Sequence, residues 1–176
     1  MKKNKLIACG ILSIALLFSA CNSQPDTPIV ESFTVDELVE QAKTNITEIY
    51  VSDFKKLYDD SVYCLIDVRD EGEYNSGYIP GAINISRGLI EFRMEKESFW
   101  EDVGFYMPFK EDLIIVYCKK GSRAALAAEA IQKMGYLNVK SIKGGLDSWK
   151  RSNPSLIDKN NVINGHGAPA QEEGGC

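Results

Sequence analysis

The sequence predicts an α/β domain of three layers, with a central parallel sheet flanked by helices. Three observations carry this expectation. Val62-Tyr63-Cys64-Leu65-Ile66 and Leu113-Ile114-Ile115-Val116-Tyr117 are continuous apolar runs, the pattern of strands buried on both faces of a parallel sheet. Segments of helical period stand between such runs, as crossover connections require. The second run passes at once into Ala124-Ala125-Leu126-Ala127-Ala128-Glu129-Ala130-Ile131, a stretch of high helix propensity with apolar residues on more than one face.

The first twenty residues fall outside that domain. Met1-Lys2-Lys3-Asn4-Lys5 is basic, and Leu6 to Phe18 is an apolar core too short for a mature membrane helix, so residues 1–20 read as a secretory signal peptide. Leu17-Phe18-Ser19-Ala20-Cys21 resembles a bacterial lipoprotein cleavage box, with Phe18 where leucine is usual. That resemblance implies lipidation of Cys21, the alternative being an ordinary signal cut near a cysteine. Residues 21–33 then form a lipidated N-terminus and linker, polar through Asn22-Ser23-Gln24-Pro25-Asp26. Several acyl chains on one residue would hold the chain firmly to a membrane. The expected location is the bacterial cell envelope, on the periplasmic or outer-membrane side.

Without the signal, roughly 155 residues remain, enough for one domain with a workable core. A net charge of −5 gives no electrostatic footprint for nucleic acid. Cys64, Cys118 and Cys176 are widely spaced, no Cys-x-x-Cys pair exists, and the only histidine, His166, lies near the C-terminus. The pattern supports neither a disulfide framework nor a zinc site. Unpaired thiols in an envelope protein make at least one of them a candidate functional group.

Thr34 and Glu37 have capping-box spacing, and Val35, Leu38, Val39 and Ala42 follow along one helical face. Ile46 to Val51 reads as a short edge strand, with Ser52 capping a second helix through Phe54, Leu57 and Tyr58. Val62 to Ile66 is a central strand, in which Cys64 is a small core residue. The strand ends in Asp67-Val68-Arg69-Asp70, at the edge of an α/β sheet where ligand sites lie. Asp67 and Arg69 are candidates for supporting the site, as an ion pair that caps the sheet more than as catalytic groups. A short helix through Glu73-Tyr74 and a turn at Gly77-Tyr78-Ile79-Pro80-Gly81-Ala82 follow, then a short strand Ile83-Asn84-Ile85. Arg87 to Lys110 interleaves apolar and charged residues. It reads as one or two helices covering a sheet face, its aromatics serving core packing or an aromatic rim for substrate.

The Leu113–Tyr117 strand delivers Cys118 to the amino end of the alanine-rich helix, with Gly121 permitting the turn. Unpaired amides and the positive end of the helix dipole gather there, a setting that favours the thiolate, the nucleophilic form of cysteine. Lys119, Lys120 and Arg123 add positive charge. The bland alternative is a buried strand-end cysteine beside a basic turn. Gly135 ends the helix, Val139-Lys140-Ser141-Ile142 is a further strand, Lys143-Gly144-Gly145 is a tight turn, and Leu146 to Lys150 is a last helix. The domain is placed at residues 34–151, and residues 152–176 are expected to be a flexible tail ending in Cys176. Cys176 is read as part of a disordered terminus, with a resolving or sulfur-accepting thiol as the alternative.

Leu65-Ile66-Asp67-Val68-Arg69, Gly77-Tyr78-Ile79-Pro80-Gly81-Ala82-Ile83-Asn84, Tyr117-Cys118-Lys119-Lys120-Gly121-Ser122-Arg123-Ala124 and Gly144-Gly145-Leu146-Asp147-Ser148-Trp149 together resemble, in order and spacing, the signatures of a rhodanese-like domain from about Glu48 to Arg151. Tyr78 stands where that family commonly has histidine. The resemblance implies the three-layer rhodanese-like fold and a sulfurtransferase. Cys118 would take sulfane sulfur from a small-molecule donor such as thiosulfate or a persulfide and pass it to a thiol or cyanide acceptor. Backbone N–H groups of Lys119, Lys120, Gly121, Ser122 and Arg123 would cradle the transferred sulfur, and the basic side chains would attract anionic donors. No cofactor or metal is implied; a redox protein partner would suit the location. A cysteine phosphatase also sets Cys and Arg around a helix amino end, but with five intervening residues, whereas Cys118 and Arg123 enclose four. A non-catalytic docking or sulfur-carrier module is the remaining alternative.

Overall fold

The computed structural model describes residues 32–60 and 62–159. Cys21, His166 and Cys176, with the signal peptide, the linker up to residue 31 and residues 160–176, lie outside the described residues. Five strands form one parallel sheet in the order β1-β5-β4-β2-β3: β1 Thr47–Ile49, β2 Cys64–Asp67, β3 Ile83–Asn84, β4 Leu113–Tyr117 and β5 Asn138–Ile142. Helices α1 (Val35–Asn45), α2 (Val51–Asp60), α3 (Glu71–Asn75), α4 (Ile90–Arg93), α5 (Glu97–Asp102), α6 (Ser122–Lys133) and α7 (Gly145–Ser152) accompany it among the described residues, with a 3-10 turn at Arg87–Leu89. The expected three-layer parallel architecture is present.

The pleat of the two central strands divides the core. Ile66, Ile114 and Val116 face one layer with Ala124, Ala127, Ala128 and Trp100. Leu65, Ile115 and Tyr117 face the other with Phe54, Leu146 and Trp149. Alternation of this kind within continuous apolar runs is the reason both faces must be covered. Ala124, Ala125, Ala127 and Ala128 of α6 bury completely and let that helix lie close to the sheet. From β2 the chain moves outward to β3, whereas β4 lies on the other side of β2 and leads to β5. The carboxyl ends of β2 and β4 therefore flank the topological switch point, where open α/β sheets place their sites.

Several boundaries differ from the sequence reading. The capping box forms, with Thr34 Oγ1 accepting the Glu37 N–H at 3.3 Å. Yet α1 buries only Val39 and Ala42 of the expected face, because Val35 and Leu38 are exposed to solvent. Ser52 lies inside α2 rather than capping it; the Tyr50 carbonyl receives the Asp53 and Phe54 amides. Strand β2 starts at Cys64, and Val62 is exposed. The tail boundary also moves. Residues 153–159 are docked: Leu156 and Ile157 pack on the Trp149 side of the core, the Trp149 indole N–H donates to the Leu156 carbonyl at 2.8 Å, and Tyr78 and Asp158 exchange backbone hydrogen bonds. A buried indole needs an acceptor, and two apolar side chains gain burial by supplying it.

Candidate active site

Tyr117 and Cys118 leave β4 on opposite faces. The Tyr117 hydroxyl accepts the Ile79 N–H at 3.0 Å and interacts with the Asp67 carboxylate; burial first, and then that carboxylate, push its phenol well above the usual range. Cys118 is 2% exposed, and its Sγ accepts the Gly121 N–H at 3.1 Å. Gly121, at φ 108, makes the left-handed turn into α6, a conformation that costs any other residue.

The loop is backed by α7. The carbonyls of Cys118 and Lys119 accept the N–H groups of Leu146 at 2.8 Å and Asp147 at 3.0 Å, satisfying amides at that helix's amino end. A planar trans peptide points its C=O and N–H in opposite directions. With both carbonyls turned to α7, the N–H groups of Lys119 and Lys120 point away from it. Gly145 is what permits the approach: a Cβ there would lie 2.2 Å from the Cys118 carbonyl oxygen and 2.8 Å from that of Lys119. In sequence Gly145 reads as a turn residue only; its closeness to a loop 27 positions earlier leaves no local signal beyond the Gly-Gly pair.

Charged groups surround this loop in two sets. Asp67 and Arg69 form a buried pair, with Arg69 Nη2 donating to Asp67 Oδ2 at 2.6 Å and Arg69 Nε to both carboxylate oxygens at 3.0 Å. Arg69 also donates to the carbonyls of Glu73 at 2.9 Å and Gly77 at 2.8 Å, so the pair fixes α3 and the turn after it. Asn84 Nδ2 closes the network on the carbonyls of Asp67 and Arg69. The second set centres on Arg123, in the first turn of α6. Its Nη1 and Nη2 donate to Glu73 Oε2 and Oε1 at 2.6 and 3.0 Å. Each partner stabilises the other's charge, lowering the Glu73 pKa and raising that of Arg123. Glu73 was not a sequence candidate; the pairing spans 50 positions and shows only in three dimensions. Lys119 and Lys120 are exposed, and neither forms an ion pair among the described residues. A cleft of about 160 Å³ beside the loop is lined by Arg69, Glu73, Ser76, Lys119, Leu146, Asp147 and Lys150.

Larger cavities lie elsewhere. A groove of about 450 Å³ runs along the β3 edge between Tyr74, Asn84, Arg93 and Phe105. Another of about 250 Å³ is lined by Val62, Cys64, Phe105 and Phe109 among others. Residues 87–110 thus divide: Ile90, Met94 and Trp100 bury, whereas Phe105, Tyr106 and Phe109 are exposed and none of them lines the cleft beside the Cys118 loop. Burial pushes the Cys64 thiol up to about 12, so Cys64 stays protonated at neutral pH and is a poor nucleophile. Tyr78, in place of the expected histidine, stacks on Tyr74 with ring centroids 4.1 Å apart. Among the described residues no group of three or more His, Cys, Asp or Glu is placed to hold a metal ion.

Comparison with known proteins bears on the family and the fold. The family model of the rhodanese-like domain matches residues 50–152. A mitochondrial protein of Schizosaccharomyces pombe, assigned provisionally as a thiosulfate sulfurtransferase, is 32% identical over 117 residues, covering 61% of this chain and 82% of its own. A sulfurtransferase of Allochromatium vinosum is 29% identical over 103 residues, covering 58% and 86% respectively. Among solved structures, a human single-domain sulfurtransferase superposes with a TM-score of 0.57 at 25% identity, over 59% of this chain and 95% of that one. A Rhodopseudomonas palustris protein of unknown function, for which tyrosine phosphatase activity has been suggested, gives 0.58 at 28% identity, over 71% and 95%.

Proposed function

The chain belongs to the rhodanese-like domain family, and from that premise we propose that it is a sulfurtransferase working through a persulfide on Cys118. The supporting observation is the loop itself: a strand-end sulfur receiving a backbone amide at 3.1 Å inside a turn whose carbonyls are tied to α7. The Cys118 thiolate attacks the outer sulfur of the donor. One S–S bond forms on the enzyme while the donor's S–S bond breaks, and the electron pair leaves with sulfite from thiosulfate, or with a thiolate from a persulfide. Attack by cyanide or a thiol on the terminal sulfur of the enzyme persulfide then returns the Cys118 thiolate. Gly121 N–H, with the Lys119 and Lys120 amides on the side away from α7, stabilises negative charge on the transferred sulfur. Asp67 and Arg69 support the site by holding α3, and Lys119 and Lys120 draw anionic donors to it.

A phosphatase reading has one relative in its favour, but the loop encloses four residues between Cys118 and Arg123, a cradle suited to a single sulfur atom. The Arg123 fork is also occupied by Glu73. We further propose that Cys21 is lipidated and anchors the protein in the bacterial envelope; a mature protein recovered without a lipidated Cys21 would rule that out. Thiocyanate production from thiosulfate or a persulfide with cyanide tests the activity. The expected result is turnover abolished in Cys118→Ser. Hydrolysis of p-nitrophenyl phosphate without thiocyanate formation would favour the phosphatase, and partner binding that survives Cys118→Ser without turnover in the parent would favour a docking module.

A further inference from the structure

Arg123 is the only arginine in the loop, and both ends of its guanidinium fork are committed to Glu73, at 2.6 and 3.0 Å. A second carboxylate, Asp70, stands 3.9 Å from the same guanidinium and is largely exposed. Arg123 feels the charge of Cys118, and Glu73 lines the cleft beside the Cys118 loop together with Lys119. The pair is only about one-third exposed, where charges are screened less than in open solvent.

A guanidinium fork recognises paired anionic oxygens. A thiosulfate dianion presents the same kind of oxygens that Glu73 already supplies. To bind there it must displace a carboxylate or lie beside one. A persulfide on an uncharged thiol meets neither obstacle.

We propose that Glu73, backed by Asp70, is a specificity-determining residue that sets the site against small dianionic donors and toward persulfides carried on thiols of low charge. The proposal rests on the sulfur-transfer reading of Cys118. Single-turnover loading of Cys118 by thiosulfate and by the persulfide of N-acetylcysteamine, an uncharged thiol, tests it on the full chain. Glu73→Gln retains an acceptor for Arg123 but removes the charge. It is expected to raise the ratio of loading rate constants, thiosulfate over persulfide, about tenfold. Glu73→Asp retains the charge and keeps the ratio within about twofold of the parent. Asp70→Asn removes a carboxylate outside the two-bond clamp and raises the ratio about two- to threefold. An equal effect of Glu73→Gln on both donors, or a fall in the ratio, overturns the proposal while sulfur transfer by Cys118 stands. Should Glu73→Gln not fold, an unchanged ratio in Asp70→Asn overturns it as well. A parent protein that loads sulfur from neither donor overturns both.

Discussion

Replacing Gly145 with alanine tests whether α7 holds the Cys118 loop in place. The added Cβ would lie 2.2 Å from the Cys118 carbonyl oxygen and 2.8 Å from the Lys119 oxygen, both main-chain atoms, so the loop or the helix must move. Moving either loses the hydrogen bonds from Leu146 and Asp147 at 2.8 and 3.0 Å, each worth about 0.5–1.5 kcal/mol net. At φ 55 the alanine also carries about 1–2 kcal/mol of left-handed strain. The sum is about 2–5 kcal/mol, a large part of a domain's 5–15 kcal/mol or so of total stability. Displacing the nucleophile by about 1 Å slows loading about a hundredfold. Urea unfolding and single-turnover sulfur loading measure the two effects. Gly72→Ala is the control, since nothing lies within 4 Å of a Cβ there. Gly144→Ala falls between, because its clash is with the Ser148 hydroxyl, which can rotate aside. A Gly145→Ala protein within about 1 kcal/mol of the parent, loading sulfur at the parent rate, would refute the role assigned to α7.

Arg69→Leu is expected to cost about 3–5 kcal/mol, because it leaves the fully buried Asp67 carboxylate without its partner; a midpoint in urea equal to the parent's would contradict this. Ending the chain after Ser152 removes Leu156 and Ile157 from the core and should cost about 2–4 kcal/mol. Ending it after Lys159 retains that packing and should spare the protein this loss. The thermal midpoint is expected to fall between about pH 9 and pH 12. Burial raises the folded-state pKa values of Cys64, Tyr63 and Tyr136 to about 12. Their unfolded forms ionise earlier, so the stability they contribute is complete below that window and lost as pH rises through it. A flat midpoint across the window would show that these groups do not remain neutral in the fold.

The parts of the fold that local chemistry determines were legible in the sequence. Continuous apolar runs marked β2 and β4, the Thr34–Glu37 spacing marked the start of α1, and the Tyr117-to-Ala124 stretch placed a cysteine between strand and helix. What could not be read depends on contacts between distant positions. The hydrogen bonds from Leu146 and Asp147 to the loop carbonyls, and the Arg123–Glu73 clamp, join segments with no shared periodicity. Leu156 and Ile157 sit in a polar stretch whose composition suggested a tail, and only the Trp149 indole and the edge at Tyr78 explain why that stretch docks. Val35 and Leu38 in the first turns of α1 are exposed although their spacing matches the buried face, because an apolar residue at the start of a helix need not meet the core.

Intact-mass analysis after incubation with a sulfane-sulfur donor reads a persulfide on Cys118 without any coupled reaction. The expected result is a gain of about 32 Da, one sulfur atom, reversed by cyanide and absent in Cys118→Ser. A parent protein that gains no mass from thiosulfate or any persulfide, while its Cys118 thiol still alkylates, would contradict the account.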